Sequence, residues 1–249
     1  MKKVFLMAAV SAAMLFAQGA KAQTNLQIFY DFGSDRQHVT TTFEGFYTDN
    51  WGNTFFFFDH DFNTRDRNDK VYAPSGTYFE IARCFNFWQD SALGALSLQA
   101  EYNGGVYNGF TINSAFLGGL DYFVHSADFN NTFNFKVLYK KITYTDQQVP
   151  LQFTFVWGLQ DLFGVKGLRF SGFADFWWED HTLFADHNGT ILPESARTVF
   201  ISEPQLWYNL GQHFGCDNFN IGGEVELSYN FGTTKGFWAR PCAGIKWVF

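Results

Sequence analysis

Phe173, Asp175 and Trp177 occupy alternate positions of one stretch, Gly172-Phe-Ala-Asp-Phe-Trp177. In an extended chain, residues two apart share a face and stand about 6.6 Å from each other. Two rings flanking a carboxylate at that spacing could stack a flat heterocycle and accept hydrogen bonds from hydroxyls beside it. Stacking of this kind contributes about 1–3 kcal/mol per base. Glu44 with Phe46 and Trp238 with Arg240 repeat the pattern. Glu80, Glu203, Trp207 and Glu226 stand at the same parity within their own stretches. Alternation adds Phe29, Glu101, Asp121, Lys136, Lys140 and Arg169 to this face. The competing reading is that such acids simply pair with Lys136, Arg169 or Arg240 to satisfy an interior.

Asp59-His60-Asp61, Asp180-His181 and Asp186-His187 fall near the ends of such stretches. Asp beside His could activate water or hold a metal, and a solvated edge accounts for the same residues. The sequence contains neither Gly-x-Ser-x-Gly nor His-Glu-x-x-His. No catalytic residue, metal or cofactor is therefore expected. Cys84, Cys216 and Cys242 are odd in number and lack zinc spacing. Asn188-Gly-Thr190 matches a glycosylation sequon.

The elements that position these residues are strands. Phe219, Ile221, Gly223, Val225, Leu227 and Tyr229 oppose Asn220, Gly222, Glu224, Glu226 and Ser228. Leu151, Phe153, Phe155 and Trp157 oppose Gln152, Thr154 and Val156. Period two with charge on one face means one apolar and one wet environment. About twelve strands are expected, near residues 25–35, 38–48, 53–62, 76–87, 94–104, 115–126, 132–143, 150–160, 167–179, 198–209, 218–230 and 237–249. Asp49 to Trp51, Gln89-Asp90, Ser126 to Asn131 and Asp161 to Gly167 read as short turns, and Asn63 to Ser75 and Asp180 to Arg197 as long polar loops.

Composition agrees. The chain is 21% aromatic, with 33 Phe, and 16% charged, where a soluble domain keeps about 25% charged. Lys2 and Lys3 precede an apolar run from Val4 to Ala17 and an Ala20-Lys21-Ala22 cleavage pattern. Residues 1–22 are expected to be a signal peptide and 23–249 one domain. Removing three lysines with that peptide takes the formal charge from −7 to about −10, which argues against nucleic acid as a partner. No later stretch reaches the ~18 apolar residues of a membrane helix. Insertion into a membrane must therefore be as a closed transmembrane barrel, all-β, antiparallel and up-and-down. Gly244, Trp247 and Phe249 fit the Gly-x-x-aromatic-x-aromatic ending of outer-membrane barrels, a membrane assembly signal from which Cys242 departs.

Thr42-Phe-Glu-Gly-Phe46, Tyr78-Phe-Glu-Ile81, Asp161-Leu-Phe163, Gly172 to Trp177 and Gly236 to Phe249 together resemble the nucleoside-specific outer-membrane channels. The Phe55 to Phe58 run is unlike that family. The resemblance implies a monomeric twelve-stranded barrel in the bacterial outer membrane, delivered by the barrel-assembly machinery into the lipid bilayer. It implies a lumen through which nucleosides or similar small polar solutes diffuse passively. Phe46, Glu44, Glu80, Phe173, Asp175, Trp177, Glu203, Trp207, Glu226 and Arg240 are the expected ligand-binding residues of that lumen. Two other readings stay open: a hydrolase active at the rim, and a structural or adhesion barrel whose lumen is plugged.

Overall fold

A computed structural model of the chain describes residues 21–34, 36–62, 74–108, 110–187 and 189–249. The expected signal peptide lies almost wholly outside them, as does most of the Asn63 to Ser75 loop. Thirteen strand segments form one antiparallel sheet: β1 (Lys21–Asp31), β2 (Val39–Asp49), β3 (Gly52–Phe62), β4 (Pro74–Phe85), β5 (Leu96–Tyr107), β6 (Phe110–His125), β7 (Asn131–Ile142), β8 (Leu151–Gln160), β9 (Leu168–His187), β10 (Thr190–Ser202), β11 (Gln205–Tyr208), β12 (Phe219–Tyr229) and β13 (Phe237–Val248). Segments β10 and β11 both pair with β9 on one side and β12 on the other, without a register shift between them. They are one barrel strand interrupted at Glu203-Pro204, because proline has no N–H to give the ladder. That makes twelve strands, as the alternation predicts.

β1 closes on β13, from Asn25 opposite Val248 to Asp31 opposite Cys242. The Phe249 N–H also donates to the Thr24 carbonyl at 2.9 Å. Closure gives every barrel strand a neighbour on both sides among the described residues, as a sheet in lipid requires, and the outer part of the β9–β10 hairpin extends beyond its β8 and β12 partners. Both described ends of the sheet lie at one rim, called here the terminal rim.

The barrel is apolar outside and polar inside. Leu26, Ile28, Tyr30, Phe116, Leu120, Phe135, Val137, Phe153, Ile245 and Trp247 are exposed on the outer surface. Gln27, Gln99, Asn103, Asp121, Gln152 and Arg240 are buried within. A water-soluble sheet does the reverse. Among the described residues no helix is long and apolar enough to cross a membrane, and the strands carry the apolar surface instead. The Phe55 to Phe58 run follows the same rule: Phe57 is opposite Glu44 on the inner face and Phe58 opposite Phe43 on the outer.

Gly244, read in the sequence as part of an assembly signal, has a packing reason. It faces Gly222 across β12 and β13. A Cβ on Gly244 would stand 2.6 Å from the Ile28 carbonyl oxygen and 2.8 Å from the Phe29 ring; one on Gly222 would meet the Trp207 ring at 2.8 Å. The two glycines make the floor on which Phe29 and Trp207 lie, their centroids 5.5 Å apart.

Three expectations change. Asp180 to Arg197 is not a loop: β9 and β10 continue as a hairpin to His187 and Thr190. Leu183 and Ala185 are buried there while Phe184 is exposed, an alternation masked by the charged residues around it. Secondly, the connection around Gln89-Asp90 spans residues 86–95. Asn86 holds it through the Gly94 carbonyl at 2.6 Å, and the Trp88 indole donates to the Leu96 carbonyl at 2.8 Å. Thirdly, β6 begins at Phe110 rather than 115, with a register shift against β5 between Asn103 and Gly105.

Candidate functional site

Register fixes which side chains share the interior. On β9, Arg169, Ser171, Phe173, Asp175 and Trp177 stand opposite Gln160, Gly158, Val156, Thr154 and Gln152 of β8. Glu44 pairs with Phe57 and Phe46 with Phe55. Glu80 is opposite both Phe57 and Asn103, and Glu101 is opposite Leu117. Trp207 is opposite Gly222, Glu226 opposite Arg240 and Ser228 opposite Trp238. The residues expected to line a lumen thus stand at the inner parity of their strands. Their environments differ greatly.

One group lies toward the far rim, opposite the termini. Glu226 binds Arg240 at 2.5 Å and Arg36, from the β1–β2 connection, at 2.7 Å. Arg240 also donates to the Ser228 hydroxyl at 3.0 Å and lies over the Trp238 ring. Arg36 reaches Asp31 at 3.5 Å. Glu203, at the β10–β11 break, is surrounded by Glu224, Glu226, Asp59 and Arg36.

A second group lies toward the terminal rim. Trp207 is 1% exposed, with the Lys246 ammonium 4.2 Å from its ring centroid and its indole donating to Gln205 at 2.8 Å. Gln205 in turn donates to Glu224 at 2.8 Å. Glu44 accepts from Asn25 at 2.8 Å. Phe46 is exposed at this mouth.

The third group spans the interior between β4–β5 and β9. Glu80 accepts from the Tyr78 hydroxyl and Glu101 from Gln99, both at 2.6 Å. Lys136 donates to Gln99 at 2.8 Å and lies 3.9 Å from Asp121. The Lys140 ammonium rests 3.7 Å from the Trp177 ring centroid and donates to Gln152 at 2.7 Å. The Trp177 indole donates to Glu179 at 2.9 Å. Trp177 therefore does not offer a bare face. With Ala115, Leu117, Leu138, Ile142, Val199 and Ile201 it forms a buried apolar cluster, against which Phe173 and Phe231 pack.

The Asp–His neighbours in sequence do not pair with each other, although Asp61 has His38, from the β1–β2 connection, at 3.5 Å. Asp59 and Asp61 point inward, accepting from Thr42 and Thr40 at 2.6 Å each, while His60 is on the outer face with Thr77 at 2.8 Å. His181 places its two ring nitrogens 2.9 Å from the carbonyls of Glu179 and Asn230. His187 pairs with Glu194. Among the described residues no group of His, Cys, Asp or Glu is arranged to hold a metal. All three cysteines are free, with Cys84 buried beside Gln99 and Asp121.

Asp31, Asp61, Asn103, Glu224 and Lys246 also face inward. Sequence reasoning placed Asp61 in a rim Asp–His run and Glu224 on the wet face of its strand but assigned none of the five to the lumen site, although parity would have found them: Lys246 is six residues from Arg240, and Glu224 two from Glu226. Arg36 carries no such signal, because it enters from a connection.

The fold and interior define a closed antiparallel β-barrel with a lipid-compatible outside and an ionisable inside. The chain belongs to a family of unknown function: the family model described as "Domain of unknown function (DUF5020)" matches residues 22–249. No curated protein matches it. Among solved structures it is similar to the KdgM porin in complex with disordered oligogalacturonate, at 9% identity and a TM-score of 0.47, covering 91% of this chain and 99% of that one. It is similar also to OccK2 (OpdF) of Pseudomonas aeruginosa in complex with glucuronate, at 10% identity and a TM-score of 0.37, covering 93% and 98%. The outer membrane protein opdK of the same organism gives 7% identity and a TM-score of 0.40, covering 94% and 100%.

Proposed function

We propose that this chain is an outer-membrane channel for passive diffusion of small polar solutes, nucleosides above all, exported by a signal peptide over residues 1–22. The observation that carries the reading is the inversion of polarity: a closed barrel with an apolar outside and an interior of acids, amides and aromatic rings. A polar solute crossing such an interior exchanges water for many weak partners, so that it can leave as well as enter. Phe46 and Phe173 are the rings best placed to stack a base, since Lys140 and Lys246 cover Trp177 and Trp207. Asp175 follows Phe173 on the same face and would take ribose hydroxyls. Hydrolysis at the rim fits less well, because His60 and its flanking acids point to opposite faces.

Uptake into liposomes tests the proposal. Phe173→Ala with Phe46→Ala should lower nucleoside flux at low concentration and spare glycine. Asp175→Asn should weaken ribose recognition less, because an amide oxygen still accepts a hydrogen bond. Equal loss for both solutes would sink nucleoside selectivity.

One observation favours a second reading, a plugged barrel. Leu138 is 0% exposed and Val199 1%, in the apolar cluster that Phe231 joins from the β12–β13 connection. Steady single-channel current in planar bilayers would exclude the plug; protein that inserts without conducting would establish it.

A further inference from the structure

We infer that Glu80, Glu101, Asp175 and Asn103 form a binding step for an organic ammonium ion, so that the lumen favours amine-bearing solutes over anionic ones. The inference deepens the channel reading, and rests on its requirement that the inner face be reached by solute. Glu80 and Glu101 come from adjacent strands of one wall, and Asp175 from β9. Glu101, Asp175 and Lys140 all lie within electrostatic reach of Glu80.

Two hydrogen-bond acceptors in this belt are left over. Asn103 is 4% exposed, directly opposite Glu80, and its side-chain oxygen has no partner among the described residues. The Asp175 Oδ1 is likewise buried and unpartnered. A buried acceptor without a donor is costly, by as much as the hydrogen bond it lacks. The belt therefore has carboxylates and carbonyl oxygens in excess of donors, the requirement of an R–NH3+ group with its three N–H bonds.

Lys140 shows the kind of occupant that suits the place. Its ammonium lies on the Trp177 ring and donates to Gln152, and among the described residues no carboxylate lies within ion-pair distance of it. The aromatic face and amide oxygen hold one ammonium, while the carboxyl groups and Asn103 leave acceptor oxygens to spare for another. The chemistry points to an organic amine rather than a metal ion, because these groups are not arranged as a metal cluster. Rings of acids rather than bases select cations in pores generally.

The test is isothermal titration calorimetry of the full-length protein, folded in detergent, with n-butylammonium chloride as probe and sodium butyrate as control. Saturable binding of butylammonium and none of butyrate is expected. E80Q/E101Q/D175N, which keeps the shapes and removes the charge, should weaken butylammonium at least ten-fold. Lys140→Met should strengthen it, by opening the Trp177 face and the Gln152 carbonyl; a merely destabilised barrel would not bind more tightly. Equal binding by wild type and triple variant, or binding of butyrate as well, overturns the proposal. A potential across a KCl gradient separates the two readings. Cation preference reduced in the triple variant supports both. Binding without any current overturns the channel and supports the belt. Current without cation preference or butylammonium binding overturns the belt alone.

Discussion

Replacing Glu226 by alanine should destabilise the barrel by about 2–4 kcal/mol. Glu226 and Arg240 meet at 2.5 Å with side chains 6% and 3% exposed. Removing one partner of such a pair leaves the other charge buried, which costs about 3–5 kcal/mol. Arg240 keeps the Ser228 hydroxyl at 3.0 Å and the Trp238 ring, which together offset about 1 kcal/mol. Relief of repulsion at Glu203, which has Glu226 among its neighbours, acts in the same direction. Arg36 is nearer the surface and can turn its charge to water. Glu226→Leu with Arg240→Met removes both charges and should change stability by only about 1 kcal/mol in either direction, as replaced buried pairs often do. The assay is urea unfolding of the barrel refolded into phospholipid vesicles, followed by fluorescence of its 8 tryptophans. A Glu226→Ala cost below about 1 kcal/mol, or additive single and double variants, would refute a desolvated, coupled pair.

Deleting Trp247 to Phe249 should abolish assembly, because Phe249 and Trp247 pair the closing strand with β1; normal yield of heat-modifiable protein would disprove this. Gly244→Val should impair folding by driving a side chain into the Ile28 carbonyl and the Phe29 ring, read as a lower folded fraction on gels. The backbone N–H of Gly167, 2.7 Å from the Asp161 carboxylate, holds that group below its usual 3.8, with the Gln160 amide helping. A depressed carboxylate stabilises the folded turn above the unfolded value and loses that contribution as pH falls through the folded one. An NMR titration of Asp161 should therefore have its midpoint under 3.8, and a midpoint at or above it would contradict the hydrogen bond. His60→Ala should leave solute flux unchanged because the ring is on the outer face, whereas Asp61→Ala should disturb the interior through Thr40 and Tyr107.

Much of the architecture was legible from alternation alone. A strand has only two faces, so Phe153 and Phe155 against Gln152 and Thr154 state which side meets lipid before any partner is known. The number of strands followed, and so did the inward parity of Glu44, Glu80, Asp175, Glu226 and Arg240. The β9–β10 hairpin was not legible, because its polar residues hide the period. Nor was the fate of each inner side chain. Parity says that Trp177 and Trp207 point inward; only closure of the barrel decides that Lys140 and Lys246, brought in from other strands, cover their rings. The same holds for Arg36, which reaches Glu226 from a connection with no period to betray it, and for Asn103, whose unpartnered oxygen is defined by what the opposite wall fails to supply. The sequence by itself determined the two faces, because that is a property of neighbours two residues apart. The tertiary structure decided which groups are satisfied, covered or left over, because that depends on contacts across the barrel between residues far apart in the chain.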